Sequence, residues 1–533
     1  VKSGGEQSMT TNGHKNKKPI ALTVTMILAL SSILAACGTP AATDTGTKTG
    51  SEQGTAAPVN AAPVEIKALT SFSTPTPPET DGDVQKAIEK ATNSKLNIQW
   101  VSGNNYKDRL NVTLSSGDIP DVVMIDDPFS ALFRKMAKEG SFWDLTSYYK
   151  EFPNISSKIA PVAWEATKLQ DGKNYGVPRP RGSEGARYFV LRKDWLDKLG
   201  LKVPTTTDEL YTVMKAFKEK DPDGNGKADT IGYTGNVNAN DMGTLGLFVN
   251  SFTGATGNWK DQGGKLVYTD LMPETKQALE FLNKAYKEGL IPADFASLKA
   301  SQVDDIYSSG KAGIIGDKTG SAAVMIEKLK QTDPKSSGDF NVFYPVSNIN
   351  QFNPKGPGYL GILAISKKVP EAKMKQILTV IDKWMAPAVF DLQTWGLEGV
   401  HHTVKDGKKE LIKDKYNASG VENFNQFVYV ADPYANSFHP TFPKDAIDAF
   451  TKVQDERAKT SKADESIGLY SETFLTYGPE LGKQAQDIKT KVILGLSPIA
   501  AWDDFVNQLK ANPQMTKITQ EINDSYAARK SGK

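Results

Sequence analysis

The stretch LNIQWVSGNNYKDRLNVTLSSGDIPDVVMIDD, residues 96–127, decides the fold. Leu96 to Val101 reads as a strand and Tyr106 to Leu114 as a helix. Val122 to Ile125 is apolar at every position, which suits a short strand covered on both faces. Working backwards, Val64 to Phe72 is another strand candidate. Val84, Ile88 and Ala91 then mark one helical face, with Asp81 or Asp83 as its expected N-cap. This β-α-β-α-β order predicts an α/β lobe with a largely parallel sheet.

The same grammar returns downstream. A strand from Ile362 to Ser366 precedes a helix whose Met374, Ile377, Leu378, Ile381, Trp384 and Met385 share one face at helical spacing. Thr206-x-x-Glu209 is a capping box opening a helix with Leu210, Val213, Met214 and Phe217 on its inner stripe. Another helix, Thr275 to Glu288, is closed by Gly289. Beyond about residue 420 the pattern is mostly helical and amphipathic, and no internal repeat is found.

Upstream of the folded part, Lys15, Lys17 and Lys18 precede an uncharged run from Ile20 to Ala36, ending in Leu34-Ala35-Ala36-Cys37. A short apolar run behind basic residues, closed by small ones, is a secretory signal. The tetrapeptide resembles the bacterial lipobox, whose cysteine carries the lipid (palmitate) anchor. Cys37 is the only cysteine in 533 residues, so no internal disulfide can form. Met9 is the expected start. Residues 1–36 are thus expected to be a lipoprotein signal peptide and 37–63 a flexible tether. From Gly38 to Pro63 the chain has one large apolar residue, Val59, too little to offset its ordering entropy. As a coil it would span roughly 28 Å root-mean-square.

Taking away Lys2, Lys15, Lys17, Lys18 and Glu6 with the signal leaves 60 basic and 61 acidic residues. Nothing in that balance suggests nucleic acid, and no polybasic patch suggests a membrane-surface helix. A remaining chain this long exceeds what one core usually holds, so two lobes are expected.

Several segments resemble the family 1 extracellular solute-binding lipoproteins of bacterial carbohydrate ABC importers. They are SSGDIPDVVMIDD (115–127), GSFWDLTSYYKEFPN (140–154), YGVPRPR (175–181), YFVLRKDWLDKLGLKVPTTTDEL (188–210), YKEGLIPADF (286–295), SSGKAGIIGD (308–317), GYLGILAISKKVPEAKM (358–374) and WGLEGVHHTV (395–404). The resemblance implies a two-lobed, periplasmic-binding-protein-like α/β fold of type II with hinge-linked lobes and a helical C-terminal region. The expected N-terminal lobe is 64–178 plus 346–398, and the C-terminal lobe 179–345 plus 399–533. It also implies a monomer on the outer face of the cell membrane. There it would hand a carbohydrate, an oligosaccharide by preference, to importer membrane subunits that supply energy and translocation.

Ligands of open α/β sheets bind beyond the carboxyl ends of the strands. Asp126 and Asp127 stand there after Val122–Ile125, where the family's loop contacts sugar; the competing reading is that they cap the next helix. Asp317 follows another strand, Ala312 to Ile315. Arg179 and Arg181 lie past the first expected hinge, their forks suited to paired hydroxyls or a uronate carboxylate, against a reading as an interlobe ion pair. Trp395 opens the WGLEGVHH segment near a crossover in this family, against a reading as core. Glu398 and His401 share that segment, and Tyr359 completes the set.

Asp221-Pro-Asp223-Gly-Asn225-Gly-Lys227-Ala-Asp229 reproduces nine positions of an EF-hand calcium loop, with Lys227 offering its carbonyl. Gly232 stands where the bidentate glutamate belongs. A structural calcium ion of modest affinity is expected, against a reading as a metal-free turn. Gly356-Pro-Gly358-Tyr-Leu-Gly361 spells a nucleotide fingerprint but precedes a strand, so it is set aside. No Walker loop, G-x-S-x-G or H-E-x-x-H occurs. A binding protein is therefore expected, not an enzyme. A secreted polysaccharide hydrolase or lyase is the alternative, since paired carboxylates can form from 61 acidic residues. A sensory ectodomain is the third class and would need a signalling domain.

Overall fold

The computed structural model describes residues 62–531, apart from positions 75, 186, 337–338, 429–441 and 443. Cys37, the leader and nearly all of the tether lie outside the described residues.

The expected first lobe is built on β1 (Val64–Phe72), α1 (Asp83–Thr92), β2 (Ser94–Ser102), α2 (Tyr106–Ser116) and β3 (Val122–Ile125). β1 runs parallel to both β2 and β3. The next neighbour, the 359–365 strand, is antiparallel to β3, with Ile362 opposite Ile125 and Ile365 opposite Val122. It is also antiparallel to β4 (Val177–Pro180) on the sheet's far edge. The sheet is mixed where a largely parallel one was expected, and connectivity explains it. A strand returning from the other half of the molecule starts at the edge where β3 ends, so it must run backwards.

Neither Asp81 nor Asp83 caps α1. The N-cap is Gly82, Asp83 is the first helical residue, and Asp81 sits at φ 54° with its carboxylate on Lys95. The helix Glu371–Trp384 packs its expected face into the first core, with Met374, Ile377, Leu378, Ile381 and Trp384 all buried.

A second sheet has the order Tyr344–Pro345, β5 (Tyr188–Leu191), the 312–317 strand, and β6 (Ile231–Thr234). β5 is buried on both sides because its alternate residues serve different cores. Phe189 and Leu191 face a cluster with Trp195, Phe217 and Phe248, while Tyr188 and Val190 face one with Tyr307 and Phe343. The capping box at Thr206 is formed in full, with Glu209 N–H donating to Thr206 Oγ1 at 3.2 Å. The helix expected over 275–288 spans Pro273–Lys287, and Gly289 follows at φ 67°. The C-terminal region is helical as expected, in Glu472–Ile493, Ala500–Ala511 and Pro513–Lys530.

Two segments, 181–187 (described except at 186) and 346–358, carry the chain between the sheets. They run side by side: Arg181 N–H donates to the Gly358 carbonyl at 2.9 Å and Gly356 N–H to that of Ser183 at 2.7 Å. The first crossing begins at 181, because Arg179 still belongs to β4 and not to a hinge just before it. Arg457, on the helix Lys444–Ala458, ties both crossings together. Its buried guanidinium donates to the Glu184 carbonyl at 3.0 Å and to Gln454 at 2.7 Å, reaches Asn353 at 3.4 Å and covers the Tyr188 ring at 4.0 Å. Burial pushes its pKa down to about 10.

Packing also departs from the expected division at 398/399. Tyr416, Val421, Phe424 and Phe427 sit in the first core, so the chain from 416 to 428 stays with the first sheet. Their aromatic side chains find partners there: Phe424 meets Trp100 edge-on and Phe427 lies against Trp384. From the outer side of this segment Lys413 reaches Glu327, on the helix behind the second sheet, at 3.0 Å.

Candidate functional site

Both sheets present the ends of their strands to the crossings. On the first sheet, β3 delivers Asp126 and Asp127, both exposed. Asp127 accepts from the Phe129 N–H at 2.8 Å and its carbonyl from the Ser130 N–H, so it shapes the turn before α3 (Ala131–Lys138), whose N-cap is Ser130 and neither aspartate. Asp126 accepts only the neighbouring Asp127 N–H. It is the freer carboxylate.

Arg179 is placed differently from expectation. It is fully buried, with Nη1 donating to the Leu360 carbonyl at 2.7 Å and Nη2 to Gln426 Oε1 at 3.0 Å. Burial, followed by the like charge of Arg181, pushes its pKa well down. A guanidinium so committed is a strut behind the site, not a fork offered to a ligand. Tyr106 stands beside it, donating to the Met124 carbonyl at 2.6 Å. Its pKa is raised by burial, with Arg179 opposing and Asp126 adding. Sequence reading took Tyr106 only as the first residue of a helix. Arg181, half-buried, leads out of the sheet towards the second half.

On the second sheet, Asp317 ends its strand opposite Tyr188, the first residue of β5. It is buried, and burial raises its pKa against the Lys318 N–H, Ser321 and Arg187. Lys318 follows it as an exposed side chain. Asp304 is raised to about 6 by burial and then by Asp317. Arg187, Asp304 and Asp317 thus sense one another. Lys318 was legible in part, as the neighbour of a strand-end aspartate; Asp304 and Arg187 carried no signal.

Tyr359, half-buried, lies between the halves. Burial, then Asp127 and Asp464, raise its pKa. Beside it a groove of about 450 Å³ is lined by Asp127, Phe129, Trp259, Asp464 and Phe474 among others. The arrangement offers carboxylates, cations and aromatic faces to a polar ligand. Within the groove the Ser466 hydroxyl donates to Asp464 Oδ1 at 2.6 Å, and that carboxylate also accepts the Ser466 N–H at 2.8 Å, so the pair closes a local turn.

A model of the bacterial extracellular solute-binding proteins matches residues 74–376 of this sequence. The chain belongs to that family. Lipoprotein LipO of Bacillus subtilis is 30% identical over 484 residues, 87% of this chain and 93% of that protein. The polygalacturonan/rhamnogalacturonan-binding protein YtcQ of the same organism is 29% identical over 96% of this chain and 99% of its own. Among solved structures, an EF-hand mutant of the S. pneumoniae ABC-transporter substrate-binding protein FusA, in complex with fructo-nystose, superposes with TM-score 0.63 at 18% identity. It covers 88% of this chain and all of its own. The two-lobed fold is that of such proteins, and the family and these relatives are binding proteins.

In this solute-binding protein His401 of the WGLEGVHH segment is part of the scaffold. His401 is buried; Nδ1 accepts the Leu397 N–H at 3.0 Å and Nε2 meets Ser419 Oγ at 3.0 Å. Both ring nitrogens are therefore used inside the protein, and burial lowers its pKa. Half-buried Trp395 ends the helix Pro387–Trp395, 5.9 Å from the His402 ring and 5.7 Å from Lys409 Nζ, and Glu398 is exposed in the following turn. None of these contacts joins the segment to the Asp126–Asp317 group.

The 221–229 loop has the donors of a calcium site in a single turn. Asp221 accepts the Asn225 and Gly226 N–H groups at 3.0 Å each, and Asn225 Nδ2 bridges Asp223 at 2.8 Å and Asp229 at 3.0 Å. Asp223 is raised by burial and by hydrogen bonding to Asp221, a sign of crowded carboxylates. Among the described residues, however, no three carboxylate, imidazole or thiol side chains are gathered closely enough to hold a metal ion. Gly232 cannot be replaced by the missing glutamate. A Cβ there would lie 2.6 Å from the Met214 carbonyl oxygen, because β6 packs directly on the preceding helix. The donor chemistry fits calcium with an incomplete shell.

Proposed function

We propose that this solute-binding protein clamps an oligosaccharide between its two sheets and delivers it to an ABC importer, held by lipid on Cys37 at the outer face of the cell membrane. One observation supports the reading: Asp126 and Asp127 follow β3 beside the returning strand that begins at Tyr359, and Asp317 ends its strand opposite Tyr188, where the 181–187 crossing enters the second sheet. Asp126, Asp127, Arg181, Tyr359 and Asp317 are the proposed ligand contacts, with Trp395 and Glu398 as outer ones. Arg179 acts by bracing the strand that begins at Tyr359, and His401 by bracing the turn that carries Glu398. The halves would swing about 181–187 and 346–358, so that closure buries the ligand and importer subunits recognise the closed shape. Relatives named for binding polygalacturonan and for sugar import support a carbohydrate as cargo.

Calorimetry against neutral and uronic oligosaccharides, with chromatography of each mixture and small-angle scattering, tests this. The expected result is saturable binding, a smaller radius of gyration with ligand, and unchanged oligosaccharide. New cleavage products would turn the reading to a hydrolase or lyase.

Calcium is proposed as a structural ion at Asp221, Asp223, Asn225, Asp229 and the Lys227 carbonyl. A ligand bound only by the folded state stabilises it by about 2.7 kcal/mol at a hundredfold excess over Kd. With a Kd on the order of 10⁻⁴ M, millimolar calcium should raise the melting temperature and chelator should lower it. Asp223→Asn should abolish the difference. Identical melts with calcium and with chelator would remove the site.

A further inference from the structure

The groove beside Tyr359 does not end at Asp127. It shares Ala131, Arg134 and Leu475 with a second cavity of about 590 Å³, which runs on between α3 and the start of the helix Glu472–Ile493. Each volume is ample for a small ligand. The charge of the second cavity differs from the first. Arg134, Lys135 and Lys138 line it from successive positions of α3, and one carboxylate, Asp171, faces them. That carboxylate accepts a hydrogen bond from Tyr175 at 2.6 Å.

Arg134 stands at the junction. Its guanidinium lies 5.0 Å from the Phe129 ring centroid and 5.1 Å from that of Tyr470, one ring from each side of the groove. Nε is buried without a hydrogen-bond partner. Burial lowers its pKa, with Asp127 opposing. A planar cation held between aromatic rings keeps its N–H edge free for an acceptor and has lost much of its hydration. Hydroxyls alone do not need three like charges crowded on one helical face. A carboxylate does, and it pairs with a guanidinium through two parallel hydrogen bonds.

We infer that the second cavity is a subsite for a carboxylate-bearing sugar unit, so that the ligand is an acidic oligosaccharide running from Asp127 past Arg134 towards Lys138. The inference rests on the reading of the main groove as a carbohydrate site. Arg134 pairs with the carboxylate, Lys135 and Lys138 add long-range attraction, and the Tyr470 and Tyr175 rings cover the sugar.

The test is calorimetry on the full chain with oligogalacturonates of two to five units and their methyl-esterified counterparts, which keep the sugar backbone without its charge. The expected result is a ratio of tetramer to dimer affinity of at least about tenfold for the charged series and near one for the esters. Arg134→Gln should bring the charged ratio close to one. Lys138→Gln, an exposed change that leaves the core untouched, should lower it several-fold and weaken its salt dependence. A charged ratio that survives Arg134→Gln, or an equal gain for the esters, overturns the inference. Binding of neutral oligosaccharides but no oligogalacturonate also overturns it while leaving the main groove as a sugar site. Absence of binding by both series and by every neutral sugar overturns the carbohydrate reading itself.

Discussion

Arg457→Met is expected to destabilise the folded chain by roughly 3 kcal/mol or more, with a lower urea midpoint and melting temperature. The size follows from what the guanidinium does. It is buried, and it makes charged hydrogen bonds to the Glu184 carbonyl and Gln454 while lying on Tyr188. Hydrogen bonds to charged groups are worth about 1.5–3 kcal/mol each, and methionine fills the volume without replacing either. Glu184 worsens the loss. Its side chain is buried against Lys355 at 3.2 Å and Ser461 at 3.1 Å, one oxygen already lacks a partner, and a nearby positive charge would vanish. Arg457→Lys should recover part of the stability by keeping the charge without the fork. Because Glu184 and Asn353 lie on the two crossings, the variant should also blur ligand-induced compaction in scattering. An unchanged midpoint would mean that the crossings are held by something else.

Gly361→Ala is the second large effect. Gly361 sits at φ 72° in the strand that returns to the first sheet, where an L-residue is strained by about 1–2 kcal/mol. The added Cβ would overlap the Ile125 carbonyl oxygen and lie 3.2 Å from the Asp126 Cα. Overpacking of that kind costs about 1–3 kcal/mol, so a stability loss of roughly 2–4 kcal/mol is expected. The displaced backbone is the one that carries Asp126 and Asp127, so ligand affinity should fall at least about tenfold as well. Gly358→Ala is the informative control. It has a similar φ of 79°, but its Cβ would meet only side-chain carbons, a methyl of Val162 at 3.3 Å and the Ala163 Cβ at 3.9 Å. It should lose stability from strain alone and keep affinity. Equal affinity losses in the two variants would show that the β3 edge is not the reason.

These glycines also show how legible the sequence was. Gly356, Gly358 and Gly361 spell a phosphate-binding pattern that strand order correctly excludes, yet nothing local reveals that Gly361 exists to let two strand ends approach. The β-α-β-α-β run was readable because each element carries its own period, and Val122–Ile125 announces burial on both faces. The second sheet was not, since β5 pairs with a strand more than a hundred residues away. Arg457 sits in an amphipathic helix, where an arginine ordinarily marks the solvated face; only tertiary contact shows otherwise. Asp126, Asp127 and Asp317 became candidates through the rule that strand ends face ligands, whereas Tyr359 carried no such signal. Arg179 and His401 turn their side chains inward to hydrogen-bond the scaffold, Arg179 through neighbours distant in the chain. Arg134 was passed over because it belongs to no strand end at all.

The Lys413–Glu327 pair has an energetic corollary. Both side chains remain more than half exposed, at 60% and 58%, and a contact of that kind contributes about 0–1 kcal/mol and fades with salt. Such a latch biases an open–shut equilibrium by no more than a few-fold. If the proposed clamping holds, this pair alone would leave an empty protein nearly free to part, and the bound solute would have to supply what the pair does not.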